Sequence, residues 1–181
     1  MVLSAAPVVL RSDGPDDTRA LAASVAPSCR PGDVLLLVGE LGAGKTTFAQ
    51  GFGRALGVRE PIVSPTFTLV RQYPLPPSRT PSGPTGAASL RQFIHADLYR
   101  LSSRNEIDDL GLRELVEDGG VALVEWGEAA EPVLADDWLR LDLGMGDGED
   151  DRTVRITARG GSWSERWSAL TASLGRWLVP A

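Results

Sequence analysis

The sequence predicts an α/β fold in which helices flank a mixed, mostly parallel sheet, and three observations carry that prediction. Residues 34–38, VLLLV, form an apolar run with the pattern of a strand buried on both faces. Residues 39–46, GELGAGKT, follow at once and match G-x-x-x-x-G-K-[ST]; Phe48, Phe52, Ala55 and Leu56 then recur at helical spacing until Gly57 supplies a stop. Residues 121–124, VALV, repeat the buried-strand pattern and end on an acid, Glu125. Strand, glycine-rich turn and helix in that order describe a P-loop NTPase-like arrangement.

Along the chain, Val8, Val9 and Leu10 suit a short edge strand, and the turn residues 12–15, SDGP, lead into a helix carrying Leu21, Ala22 and Val25 that Pro27 ends. After the P-loop strand and helix, residues 62–66 lead into a strand over 66–73, where Phe67 and Leu69 alternate with Thr66, Thr68 and Arg71. Residues 74–89 are rich in Pro, Ser, Thr and Gly, the composition of a disordered or mobile loop, and 91–96 return as the second strand of a hairpin. Ser103 and Glu106 have capping-box spacing before a helix with Ile107 and Leu110 on one side, and a short helix follows Gly111 at 112–116. Strands at 139–143 and 153–157 flank the acidic, solvated loop 144–151. Ser162 and Glu165 repeat the capping-box spacing at the head of a C-terminal helix, 162–181, with Trp167, Leu170, Leu174 and Leu178 on one face. Trp163, Trp167 and Trp177 are read as core at that spacing, not as a binding stripe.

The length of 181 residues suits one domain, 1–181. Hydrophobic residues at 43% and charged residues at 23% are ordinary for a soluble globular protein, and no apolar run reaches the roughly 20 residues of a membrane span. The first ten residues lack the basic start of a signal peptide, and the single cysteine, Cys29, excludes an internal disulfide, so a cytoplasmic location is expected. A net charge of -6 argues against wrapping nucleic acid unaided; any RNA is expected to be held mostly by a partner.

The P-loop pattern works because its glycines let successive backbone N–H groups converge on phosphate oxygens while the following helix adds its positive end. Lys45 is then expected to reach the β- and γ-phosphates of a nucleoside triphosphate, and Thr46 to ligate magnesium. Among 18 basic residues Lys45 is the only lysine. A compact ammonium on a flexible stem fits a phosphate cradle where a planar guanidinium does not. Glu125, closing an apolar strand, occupies the place of the second acid such a site needs, at the carboxyl edge of the sheet. Asp97, within 95–100 (HADLYR), also ends a strand, and by its position alone it is metal-coupled, base-like or a helix cap. His95, the only histidine, is read as hydrogen-bonded scaffold before proton carrier.

Four blocks, 39–51 (GELGAGKTTFAQG), 64–70 (SPTFTLV), 95–101 (HADLYRL) and 123–128 (LVEWGE), in this order and at these intervals resemble the TsaE family, formerly YjeE. That family is the ATPase subunit of the bacterial machinery making threonylcarbamoyladenosine in tRNA. The resemblance implies ATP hydrolysis with Mg2+, and assembly with TsaD and TsaB subunits, TsaD transferring the threonylcarbamoyl group, so that tRNA is met only indirectly. By motif match it implies that Leu41, Gly42, Ala43, Gly44, Lys45 and Thr46 bind phosphate with Thr47 beside them, that Thr46 and Glu125 bind magnesium, and that Asp97 matters for hydrolysis. Residues 64–66 with Thr66 fall where a nucleotide-sensing switch is expected, Trp126 lies next to the site, and Arg152 contacts nucleotide. The 74–89 segment is longer than the usual hairpin tip, and 111–115 lacks the aromatic pair common after its Gly-Leu start.

Two rival functions share the loop. A small-molecule kinase is expected to show an arginine-rich lid, and the arginines here are scattered. A non-catalytic docking module would bind ATP without turnover. A GTPase is disfavoured because its guanine-reading Asn-Lys-x-Asp needs a second lysine.

Overall fold

In the computed structural model, which describes residues 6–77, 89–101, 103–129 and 136–179, seven strands form one sheet in the order β1-β7-β6-β2-β5-β4-β3. The strands are β1 (Val8–Ser12), β2 (Val34–Val38), β3 (Val70–Pro74), β4 (Gln92–Asp97), β5 (Gly120–Glu125), β6 (Trp138–Met145) and β7 (Arg152–Arg159). The central block β6-β2-β5-β4 is parallel, and antiparallel pairings β6·β7, β7·β1 and β4·β3 finish the two edges. The mixed, mostly parallel sheet expected from the two apolar runs is therefore present, with β2 and β5 side by side at its centre and every residue of both buried.

Helices cover both faces, and β2 divides its side chains between them. Leu35 and Leu37 join Leu21, Phe48, Phe52, Trp163 and Leu170 in the layer under α1 (Pro15–Val25), α2 (Lys45–Leu56) and α5 (Gly161–Ser173). Val34 and Leu36 join Ile107, Leu112 and Val116 in the layer under α3 (Arg104–Asp108) and α4 (Leu112–Glu117). The two-residue period of the strand turns one apolar run into two cores.

The face of α2 differs from the expected one. Phe48 and Phe52 are buried, but Ala55 is exposed and Leu56 half-buried, while Ala49, Gly51 and Gly53 face inward. A Cβ on Gly51 would stand 2.3 Å from the Arg19 carbonyl oxygen. The helix thus gives up about 1 kcal/mol of helix propensity at this glycine to let α1 cross at backbone contact.

Three further expectations are corrected. Residues 66–69 are a turn, not the start of a strand: the Pro65 carbonyl accepts the N–H groups of Thr68 and Leu69, Leu69 takes φ 63°, and β3 begins at Val70. The Ser162/Glu165 capping box does not form; α5 starts one residue earlier, after Gly160, and Ser162 Oγ instead accepts from Arg166. That helix also stops at Ser173; a short 3-10 turn, Gly175–Trp177, follows, and Leu178 forms an isolated antiparallel bridge to Leu10. The Ser103/Glu106 capping box does form, and Trp163 and Trp177 are core. Of the Pro-rich 74–89 segment, Pro74 ends β3 and the Leu75 N–H donates to the Arg91 carbonyl; residues 78–88 lie outside the described residues. Among the described residues no helix is long and apolar enough to cross a membrane.

Away from the carboxyl edge of β2, a buried ion pair holds α5 to the sheet. Arg166 donates to Asp33 through both terminal nitrogens, at 2.6 and 2.8 Å, and to the Ser28 carbonyl at 2.7 Å.

Candidate functional site

Residues 39–44 carry the chain from the end of β2 to the start of α2. Gly42 and Gly44 take φ of 82° and 99°, a region where a side chain strains the backbone, and Gly44 is also the N-cap of α2. No side chain caps that helix. Its first-turn N–H groups and positive dipole end therefore open toward the space above the loop.

That space is a cleft of about 420 Å³. Leu41, Gly42, Gly44, Lys45, Thr46 and Thr47 line one side, and Ser64, Thr66, Asp97, Tyr99, Glu125 and Trp126 the other. The parallel pairing of β4 with β5 sets Asp97 beside Glu125 at the same rung, so both strands end their acids at one edge. Ala43 turns into the core beneath the loop, 1% exposed. Arg152 is not in the lining: its guanidinium stands behind the loop and donates to the Gly42 carbonyl at 3.2 Å and to the carbonyls of Glu149 and Asp151.

The polar groups are tied into two networks. Thr46 Oγ1 donates to Glu125 Oε1 at 3.0 Å, and His95 Nε2 meets the same oxygen at 2.8 Å. Asp97 Oδ2 accepts the hydroxyl of Thr66 and, at 3.3 Å, that of Ser64; its Oδ1 accepts the Tyr99 N–H at 2.9 Å. Asp97, Glu125 and His95 are all buried, so these hydrogen bonds replace the water lost by the two carboxylates and by His95 Nε2.

Lys45 is 6% exposed, and its ammonium donates to the carbonyls of Gly39 at 2.7 Å and Glu40 at 2.9 Å while standing 4.1 Å from the Trp126 ring centre. Burial holds its pKa below the ordinary 10.5, against the opposing pull of the Glu125, Asp97 and Glu128 carboxylates. Trp126 reaches this position through a left-handed backbone, φ 58°, and its ring leans on Tyr99 at 4.9 Å.

The donor set at Thr46 and Glu125 is one hydroxyl and one carboxylate. Hard oxygens in small number suit Mg2+, which keeps several waters and takes the rest of its ligands from phosphate. Among the described residues no group of three or more His, Cys, Asp and Glu could hold a metal by itself. Sequence reasoning overlooked Tyr99 in the lining and the contact of His95 with Glu125. A tyrosine two residues after the strand-end acid Asp97 was the available signal for the first.

The family model described as "Threonylcarbamoyl adenosine biosynthesis protein TsaE" matches residues 12–154. The tRNA threonylcarbamoyladenosine biosynthesis protein TsaE of Bacillus subtilis is 37% identical over 166 residues, covering 92% of this chain and 92% of that one. Its namesake in Streptomyces coelicolor is 40% identical over 160 residues, covering 86% of this chain and 97% of that one. The crystal structure of Bacillus subtilis YdiB superposes with a TM-score of 0.67 at 32% identity, covering 97% of each chain. A match of this extent in sequence and in fold, over the segment that builds the cleft, means that the chain belongs to the TsaE family.

Proposed function

We propose that this protein hydrolyses ATP to ADP and phosphate in support of threonylcarbamoyladenosine formation in tRNA, and that subunits of the TsaD and TsaB type activate it in the cytoplasm. The observation that carries the reading is the contact between the P-loop hydroxyl and the strand-end acid, Thr46 Oγ1 to Glu125 Oε1 at 3.0 Å, at the mouth of a cleft holding the only lysine. Relatives named for this biosynthesis support the biological setting.

Phosphates enter over the N-terminus of α2, where the N–H groups of residues 42–46 receive them. Lys45 exchanges the carbonyls of Gly39 and Glu40 for β- and γ-phosphate oxygens, which carry full charge where the carbonyls carry only dipoles. Thr46 and Glu125 are the residues that would hold Mg2+, and the ion would supply positive charge beside the transferring phosphoryl group. Asp97 orients the attacking water: the Tyr99 N–H fixes one of its oxygens, leaving the other to trade the Thr66 and Ser64 hydroxyls for water. Thr66 and Ser64, on the turn before β3, follow the presence or absence of the γ-phosphate and pass it to the exposed Phe67.

Full activity depends on a partner because the cleft is open and no arginine among the described residues lines it. Leu41, Phe67 and Tyr99, exposed by 88%, 85% and 62%, offer apolar contacts to such a partner around the mouth. The test is phosphate release from ATP by the purified chain, alone and with TsaD- and TsaB-type subunits. Slow release that the partners accelerate is expected; a chain that shows neither ATP binding nor partner-stimulated release would refute the proposal.

A further inference from the structure

Resting on that activity, we infer that His95 is a positioning residue for the acid that holds the metal: its Nε2–H fixes Glu125 Oε1 and so leaves Oε2 as the oxygen presented to the cleft. His95 is fully buried in β4, two residues before Asp97, and stands behind the cleft lining, which it meets through Glu125. Its Nε2 stands 2.8 Å from Glu125 Oε1, an oxygen that also accepts from Thr46 at 3.0 Å, whereas Oε2 is 3.4 Å from Thr46. A carboxylate only accepts, so Nε2 carries the proton that joins the two residues.

The other ring nitrogen settles the tautomer. Nδ1 is buried with no hydrogen-bond partner among the described residues. A proton donated from Nδ1 would find no acceptor there, so the ring's hydrogen bond is the one from Nε2–H to Glu125. The ring plane is set from below by Phe93 on the same strand face, with centroids 5.9 Å apart and planes 13° from parallel. Glu125 Oε1 is thus held by two donors, from β4 and from α2, and turning the carboxylate breaks its contact with His95. Outer groups that orient a metal ligand in this way are worth about 10- to 100-fold in metal affinity or activity.

The experiment compares His95→Leu, which removes the donor from an apolar surrounding, with His95→Gln, whose amide nitrogen reaches the Nε2 position. ATP affinity is measured across a magnesium titration and again in chelator, with thermal unfolding of each variant alongside. His95→Leu is expected to raise half-saturating magnesium about 10-fold while ATP affinity in chelator stays at the wild-type value, and His95→Gln to recover most of the loss. A magnesium titration of His95→Leu that overlays the wild type overturns the inference, as does equal impairment of both variants, which would make the ring a packing element. Should His95→Leu not fold, His95→Asn, whose amide falls short of Oε1, takes its place under the same criteria. A wild-type chain that binds ATP with no dependence on magnesium refutes the metal site and this role with it; a dependent wild type with indifferent variants refutes only the role of His95.

Discussion

Thr46 and Glu125 stand 79 positions apart in the chain and meet at 3.0 Å, one in the first turn of α2 and the other at the last residue of β5. Two side chains that act on one metal ion act as a unit. Thr46→Val and Glu125→Gln are each expected to lower partner-stimulated kcat by about 10²-fold. The double variant should lose little more than either single one. Multiplicative losses in that cycle would show that the two residues act separately.

Lys45 links nucleotide binding to alkaline pH. Its folded pKa lies below the ordinary 10.5 because burial penalises the ammonium, with Glu125, Asp97 and Glu128 opposing. In the free protein the buried charge lowers stability below the folded pKa, and that penalty is relieved as pH rises through it toward 10.5. Phosphate binding needs the ammonium, so ATP affinity should begin to fall below the pH at which an ordinary lysine loses its proton. Calorimetry at alkaline pH in two buffers of different ionisation enthalpy should register proton uptake on ATP binding. Equal heats in both buffers would contradict this coupling.

Asp97 separates an ATPase from a docking module. Asp97→Asn keeps the acceptor for the Tyr99 N–H but weakens the hold on water, and it is expected to lower kcat by about 10²-fold with ATP affinity preserved. Thr66→Val should cost less turnover but uncouple partner binding from the nucleotide state. Partner pull-down with ATP and with ADP provides the measurement; a wild-type chain with no turnover to lose would leave only the docking role.

The Asp33–Arg166 pair makes a prediction about stability alone. Both residues are 7% exposed, so removing either side chain leaves an uncompensated buried charge. Arg166→Ala is expected to destabilise by about 3–5 kcal/mol, and the paired change Asp33→Leu with Arg166→Met to recover most of it. Chemical denaturation of the single and double variants decides this; additive losses would mean the pair is not the main effect.

The central fold was legible because β2 and β5 are unbroken apolar runs and Gly39 to Thr46 has one physical use. Lys45, Thr46, Asp97 and Glu125 were legible for the same reason, since a strand-end acid in a parallel sheet arrives at the same edge as the loop. What the sequence hid depended on contacts between distant segments. Residues 66–69 alternate like a strand, yet Pro65 turns them and Asp97 holds Thr66. Ser162 has cap spacing, yet Arg166 takes its hydroxyl. Arg152 lies in sequence just before a strand, and only the folded β6·β7 hairpin shows that it meets the back of the P-loop.

The neighbour of β2 on one side is β6, which the ribosome makes about a hundred residues after the P-loop. A nascent chain that has just passed Glu125 already contains Lys45, Thr46, Asp97 and Glu125, but one edge of its P-loop strand is bare and Gly39 lacks the Leu143 backbone against which it closes. The cleft therefore takes its shape late in synthesis, and an amino-terminal fragment released early would carry these four side chains without the wall that shapes their surroundings.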